Sequence, residues 1–472
     1  MDKSSRRRNT LIPFGATRQV TGSCHLLETT AGQVLLDCGM FQGPPETEKQ
    51  NLQAFPFDPN KLDAVVISHA HIDHSGLLPR LIKAGYGGPI YVTPPTHDLL
   101  ELLLKDAAHL ELMDTQWENK RRQRAGKRLV EPLYTLEDVE RVLSQRVAVA
   151  YGAVTEVLSG VRLNFHDAGH IIGAAIVELS LGAGDQVKTL VFSGDLGNRY
   201  SPLLRDPEGL KRADVLMLES TYGDRDHRSL SETLDEMRLA LQDASRAGGN
   251  VLIPSFAVGR TQDILYWLGR FYRDGDLPQQ RVFVDSPMAI EASEIYARYV
   301  GLFNRDDPEF IQAMGRGGWQ EWLPILSYSR TSEESMALNK VQGAIIIAGS
   351  GMCTGGRIRH HFKYNLWRRD THVIISGFQP HGTLGRRLVD GVRRVSILGS
   401  EVAVRASIHT LGGFSAHAGQ TELVRWATGM QSSAPRVYLV HGEVEAMEAL
   451  KQRLNQAKMR AEIAEYGAEI TI

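Results

Sequence analysis

The chain has 472 residues, 42% of them hydrophobic and 23% charged, which excludes disordered, collagen-like and disulfide-scaffold classes and predicts two structural domains. A formal net charge of −2 argues neither for nor against nucleic acid; a polyanionic partner would need a positive field local to a cleft or to bound metals. Three cysteines, Cys24, Cys38 and Cys353, show no C-x-x-C pair, and no run approaches 18 apolar residues, so a reducing, cytoplasmic setting without a membrane is expected.

The chain opens on MDKSSRRRNT, a short basic arm with no apolar segment behind it, expected to be disordered and to serve solubility. Residues 11–38 read as strands, TGSCHLLET and GQVLLDCG, parted by a turn near Gly32, with Asp37 closing the second. A carboxylate there suits either an exposed strand end or a group that orients a ligand or a water. The buried run AVVI then delivers SHAHIDHSG, which packs His69, His71, Asp73 and His74 into six positions before LLPRLIKAG turns into a helix stopped by Gly85. His69 and His71 share one side of an extended segment, while Asp73 and His74 sit where the chain turns. Imidazole nitrogen and carboxylate oxygen are the donors zinc prefers, so this loop is a candidate for facing two metal ions.

Residues 97–145 break the strand pattern with a helix around HDLLELLLKDAAHLELM, the basic patch KRRQRAGKR and a second helix at TLEDVERVLS. Such patches are usually solvated helix faces, and Lys120, Arg121, Arg122, Arg124, Lys127 and Arg128 are also candidates for touching a phosphate backbone. The strand-then-ligand rhythm resumes three times: VRLNFHDAGHIIG delivers His170, TLVFSGDLG delivers Asp195 and DVLMLESTYG delivers Glu219.

From 220 to 397 the texture becomes strand, glycine-bearing loop, helix, which predicts a parallel sheet flanked by helices. No Walker pattern occurs, but loop amides at helix N-termini bind anions, so Ser255, Arg260, Ser350, Gly351 and Arg357 are candidate phosphate contacts. The position of His381 relative to a cleft is left open. After 397 the strand texture returns, with Ser415 and His417 in FSAH ahead of a helix and His441 after the run RVYLV. The economical division is one metal domain, 1–219 and 398–472, interrupted by an inserted domain at 220–397.

The set Asp37, His69-x-His71-x-Asp73-His74, His170 and Asp195 resembles the four motifs of the metallo-β-lactamase fold. With Glu219, His417 in FSAH and His441 in VHGE, the chain resembles the β-CASP branch of nucleases from about residue 11 to its end. The resemblance implies an α/β architecture, an αββα sandwich with an inserted parallel-sheet α/β domain forming the other wall of a cleft. It implies two zinc ions, with manganese as a possible substitute. His69, His71 and His170 would hold the first, Asp73, His74 and His441 the second, and Asp195 would bridge them. Catalytic roles fall to Asp37, orienting the nucleophile, and to His417 as general acid oriented by Glu219. Histidine in the last motif is similar to the RNA-processing members, which implies a single-stranded RNA substrate; no KH-like extension or long C-terminal domain is present, as in the compact bacterial form. Endonuclease and 5′-exonuclease action, and self-association, stay open. Alternatives are a small ester or thioester hydrolase, a DNA nuclease and a non-enzymatic RNA-binding subunit.

Overall fold

The computed structural model describes residues 9–472 except Phe378 and His381, so the basic arm and the question about His381 lie outside the described residues. The chain forms two compact units, one of residues up to 199, 206–226 and 417–472, the other of 200–205 and 227–416.

The first unit is a metallo-β-lactamase αββα sandwich. One seven-stranded sheet runs Ile470–Thr471, Thr10–Pro13, His25–Glu28, Gln33–Leu36, Ala64–Val66, Ile90–Val92, Arg146–Ala148. The other runs Arg460–Ile463, Arg436–Val440, Val215–Glu219, Lys188–Phe192, Ala175–Leu181, Val161–Asp167, Thr155–Leu158. Leu27, Leu36 and Val66 from one face meet Phe165, Leu179, Phe192 and Met217 from the other in one buried apolar cluster. In Val161–Asp167 the inward residues Val161, Leu163 and Phe165 alternate with the exposed or half-buried Arg162 and Asn164, as one covered face requires. Val215–Glu219 is buried at every residue because it lies in parallel between Lys188–Phe192 and Arg436–Val440 and is covered on both faces.

This pairing positions the site. Lys188–Phe192, Val215–Glu219 and Arg436–Val440 are parallel neighbours, so their carboxyl ends, which lead to Asp195, Glu219 and His441, share one edge. Val161–Asp167 runs in the same sense through two antiparallel steps, which brings the loop carrying His170 to that edge. In the first sheet Gln33–Leu36 and Ala64–Val66 are also parallel and end together at Asp37 and Ser68.

The second unit holds an all-parallel six-stranded sheet, in the order Leu326–Tyr328, Val282–Val284, Ile345–Ala348, Val251–Pro254, His372–Ile375, Ser407–Thr410, with helices between strands. This is the α/β domain expected, but it reaches Ala416 and not 397, because Ser407–Thr410 pairs with His372–Ile375. Beside the sheet, Trp322 stacks on Tyr266 at 5.6 Å and donates from Nε1 to its carbonyl at 3.0 Å. Gly269 is required there, since a Cβ would stand 2.1 Å from that indole nitrogen. No helix among the described residues is long and apolar enough to cross a membrane, and Cys24, Cys38 and Cys353 are free and buried.

Candidate metal centre

All seven predicted ligands lie in the first unit and converge. Donor atoms of His69, His71, His170 and Asp195 lie within 4.8 Å of one another, as do those of Asp73, His74 and His441. In the first group, His71 Nδ1 stands 3.1 Å from His69 Nε2 and 3.2 Å from His170 Nε2. In the second, His74 Nε2 stands 3.2 Å from His441 Nε2, and Asp73 Oδ2 is 3.5 Å from the same His441 nitrogen. Asp195 faces both: its Oδ2 is 3.6 Å from His69 Nε2 and His170 Nε2, and its Oδ1 is 3.3 Å from His74 Nε2 and 3.5 Å from His441 Nδ1.

These residues fit a pair of divalent cations. Imidazole nitrogens turned face to face at 3.1 to 3.2 Å in a buried pocket are unfavourable alone; two nitrogens at about 2.0–2.1 Å from a tetrahedral zinc are roughly 3.3 Å apart, close to that separation. Asp195 Oδ1 is buried and accepts no hydrogen bond, a costly state for a carboxylate that a cation relieves. Burial, together with the neighbouring imidazoles, holds His69 well below its ordinary range, so it is neutral and available as a ligand. Burial opposes ionisation of Asp195 too, but the surrounding histidines outweigh it and hold its carboxyl well below the usual range.

Asp37 sits behind the cluster. Its Oδ1 accepts from Ser68 N at 2.8 Å, and its Oδ2 accepts from Ser68 Oγ at 2.9 Å, Ser23 Oγ at 3.0 Å and His74 Nδ1 at 2.7 Å. With both oxygens engaged and no exposure, Asp37 reaches the cluster through His74, an arrangement that suits the reading of this carboxylate as a group that orients a ligand. Its φ of +58° and that of His441, +53°, place two non-glycine residues in the left-handed region at strand ends. Both are pinned by backbone hydrogen bonds, Asp37 N to O of the strand residue Val66 at 2.9 Å and His441 N to O of Ala16 in a loop at 2.7 Å. Three partners escaped the sequence reading: Ser23, Ser68 and Thr221, whose Oγ1 is 3.1 Å from His441 Nδ1. Ser68 directly before His69 and Thr221 two residues after Glu219 were the available signal.

Glu219 and His417 form a separate pair at the rim of the cluster. Glu219 Oε1 is 3.3 Å from His417 Nδ1 and accepts from Leu196 N at 2.7 Å, while Oε2 accepts from Thr221 N at 3.2 Å. His417 Nδ1 is 3.9 Å from Asp195 Oδ2, and the ring lies 4.5 Å from that of His170. Burial works against a charged His417, but Glu219, Asp195 and Asp73 outweigh it and push the imidazole up to about 9.

The candidate phosphate contacts lie in the second unit, after the carboxyl ends of its strands. Ser255 follows Val251–Pro254 and Ser350 follows Ile345–Ala348, neighbours joined where Ser255 N donates to Ala348 O at 3.0 Å. Each of the five has contacts inside the fold. The buried Ser255 hydroxyl donates to Phe256 O and accepts from Thr261 Oγ1, and Arg357 Nη1 is tied to the buried Asp285 at 2.7 Å. Ser350 Oγ accepts from Gly355 N, the carbonyl of Gly351 accepts from Gln379, and the Arg260 guanidinium lies 5.8 Å from the Phe414 ring.

The Metallo-beta-lactamase superfamily profile matches residues 17–243, the Beta-Casp domain 261–388, and the Zn-dependent metallo-hydrolase RNA specificity domain 401–469. The chain is 43% identical to "Ribonuclease TTHA0252" of Thermus thermophilus over 465 residues, covering 98% of this chain and all of the relative. The chain belongs to the β-CASP family. Among its β-CASP relatives, the "Transcription termination factor FttA" of Methanothermobacter thermautotrophicus is 32% identical over 92% of this chain and 67% of its own length. A solved structure, "Protein of Unknown Function from Enterococcus faecalis V583", shares the fold at a TM-score of 0.57 and 14% identity, covering 98% of this chain and all of that one.

Proposed function

We propose that this β-CASP protein is a ribonuclease that hydrolyses phosphodiester bonds of single-stranded RNA with two zinc ions. The observation that carries the reading is Asp195, whose two oxygens face two separate histidine groups. In this reading His69, His71, His170 and Asp195 hold one zinc, and Asp73, His74, His441 and Asp195 the other. A bound metal pair supplies a lowered pKa for water and neutralises charge on phosphate oxygens.

The chain's own residues supply the rest. Water attacks phosphorus and gives up a proton to solvent, the bond to the ribose 3′ oxygen breaks, and that oxygen takes a proton from His417, which solvent then restores. Glu219, buried and fixed by two backbone amides, holds Nδ1 of His417 so that Nε2 is presented as the donor, and its negative charge keeps the ring protonated. The products expected are 5′-phosphate and 3′-hydroxyl ends. In the second unit Arg260, Ser350 and Gly351 are proposed phosphate contacts, at the sheet edge where open α/β folds bind ligands; Ser255 and Arg357 serve the fold there.

Asp37 acts in this scheme as a positioning residue for His74. Asp37→Ala is expected to weaken metal binding about 10- to 100-fold, as removal of an outer partner of a ligand does. Metal content after dialysis against a graded chelator series checks this, and retention equal to wild type would remove the role. Substrate class is tested by offering matched RNA and DNA single strands and a thioester. Preferential RNA cleavage leaving 5′-phosphates supports the proposal; turnover of the thioester alone would replace it with a small-ester hydrolase.

A further inference from the structure

The Pro94–Arg124 helix is longer than its own packing explains. Its buried residues end at Ala108, and the remaining turns, about 24 Å at 1.5 Å per residue, carry no buried side chain. The chain then folds back along the projecting part: Asn119 Nδ2 donates to Val130 O at 2.8 Å, Val130 N donates to Asn119 Oδ1 at 2.9 Å, and Leu133 N donates to Glu111 Oε1 at 2.9 Å. The result is a built arm with a fixed tip.

That tip concentrates positive charge. Lys120, Arg121, Arg122, Arg124, Lys127 and Arg128 fall within nine residues, and no acidic residue occurs from 119 to 130, in a chain whose net charge is −2. Arg121 and Arg122 lie 3.5 and 3.6 Å from Glu118. The side chains of Lys120, Arg124, Lys127 and Arg128 are exposed and make no ion pair or hydrogen bond among the described residues. One turn back on the same helix, Trp117 is 62% exposed, with the Arg121 guanidinium 5.0 Å from its ring. A solvent-facing indole on the same helix as the unpaired cations of the tip matches the chemistry of a single strand, whose bases stack on aromatic faces while its phosphates are neutralised by lysine and arginine.

We infer that this arm is an auxiliary docking surface for single-stranded RNA, with Trp117 stacking on a base and the tip cations holding the backbone. The inference rests on the ribonuclease reading above and extends it to a second contact remote from the reaction. The root of the helix is fixed beside the His170 loop, where Thr93 and Thr96 hydroxyls donate to Gly173 O at 2.6 and 2.9 Å. Along the helix, Lys120 lies roughly 36 Å from that root, so only a strand of some length reaches both.

The test is binding of a fluorescent single strand of about 40 nucleotides by the metal-loaded full chain, titrated at several salt concentrations. His417→Ala is carried in every sample so that the strand survives. Replacing Lys120, Arg124, Lys127 and Arg128 by serine is expected to weaken binding at least about tenfold and to flatten the salt dependence by about 0.7 per lost contact. Trp117→Ala is expected to weaken binding by about fivefold or more with the salt slope retained. Affinity and slope equal to the parent in both variants would overturn the arm inference and leave the ribonuclease reading intact. A changed sedimentation mass with unchanged RNA affinity would overturn it in favour of an interface between copies. If the parent itself binds no single-stranded RNA, the ribonuclease reading fails and takes the inference with it.

Discussion

Asp195→Ala is expected to empty both halves of the cluster. Among the described residues no other side chain faces the His69, His71 and His170 group with one oxygen and the His74 and His441 group with the other. Its removal takes a ligand from each site and leaves facing imidazoles without the anion that balances two cations. The loss in metal affinity should exceed the about 10- to 100-fold produced by outer-partner mutations, with cleavage abolished. His441→Ala is the informative neighbour, because its ring faces Asp73, His74 and the Oδ1 side of Asp195 and not the His69, His71 and His170 group. It should lower the metal count by about one of the two expected ions, not both. Metal analysis of the two proteins side by side reads the difference; an Asp195→Ala protein with full metal content would remove the bridging role.

His417→Ala is expected to do the opposite. The ring stands near the cluster, but its closest carboxylate is Glu219, at 3.3 Å, with Asp195 at 3.9 Å. The variant should keep its metals while turnover falls about 10² to 10⁴-fold, the usual worth of a positioned proton donor. Glu219→Gln should lower turnover less, since an amide can still orient Nδ1 without supplying charge. Metal loss in His417→Ala would mean that the residue is a ligand and that the proton comes from elsewhere.

The cluster of candidate ligands was legible because its members share one rule: each follows a buried strand, and parallel neighbours end at one edge. Glu219 and His441 are 222 positions apart in the chain and adjacent in the sheet, paired through Glu219 and Val440. What stayed hidden depends on partners that only the fold supplies. Asp37 reads in sequence as an exposed strand end or a group that orients a ligand or a water, and only the fold brings Ser23, Ser68 and His74 to its two oxygens. Arg357, a candidate phosphate contact, also pairs with a buried Asp285 from another strand end, a partner that the sequence does not show. The end of the inserted domain was misplaced because SIHT, the Ser407–Thr410 strand, lies at a sheet edge and lacks the apolar alternation that marks its neighbours.

The central claim is metal-dependent cleavage of single-stranded RNA, and the most direct measurement is incubation of a 5′-labelled strand with purified protein beside the His69→Ala variant and a chelated sample. The account predicts shortened products with 5′-phosphate ends from the wild-type protein only, the fragment lengths separating internal from 5′-terminal cutting. An intact strand after incubation with wild-type protein that carries both metals would contradict it.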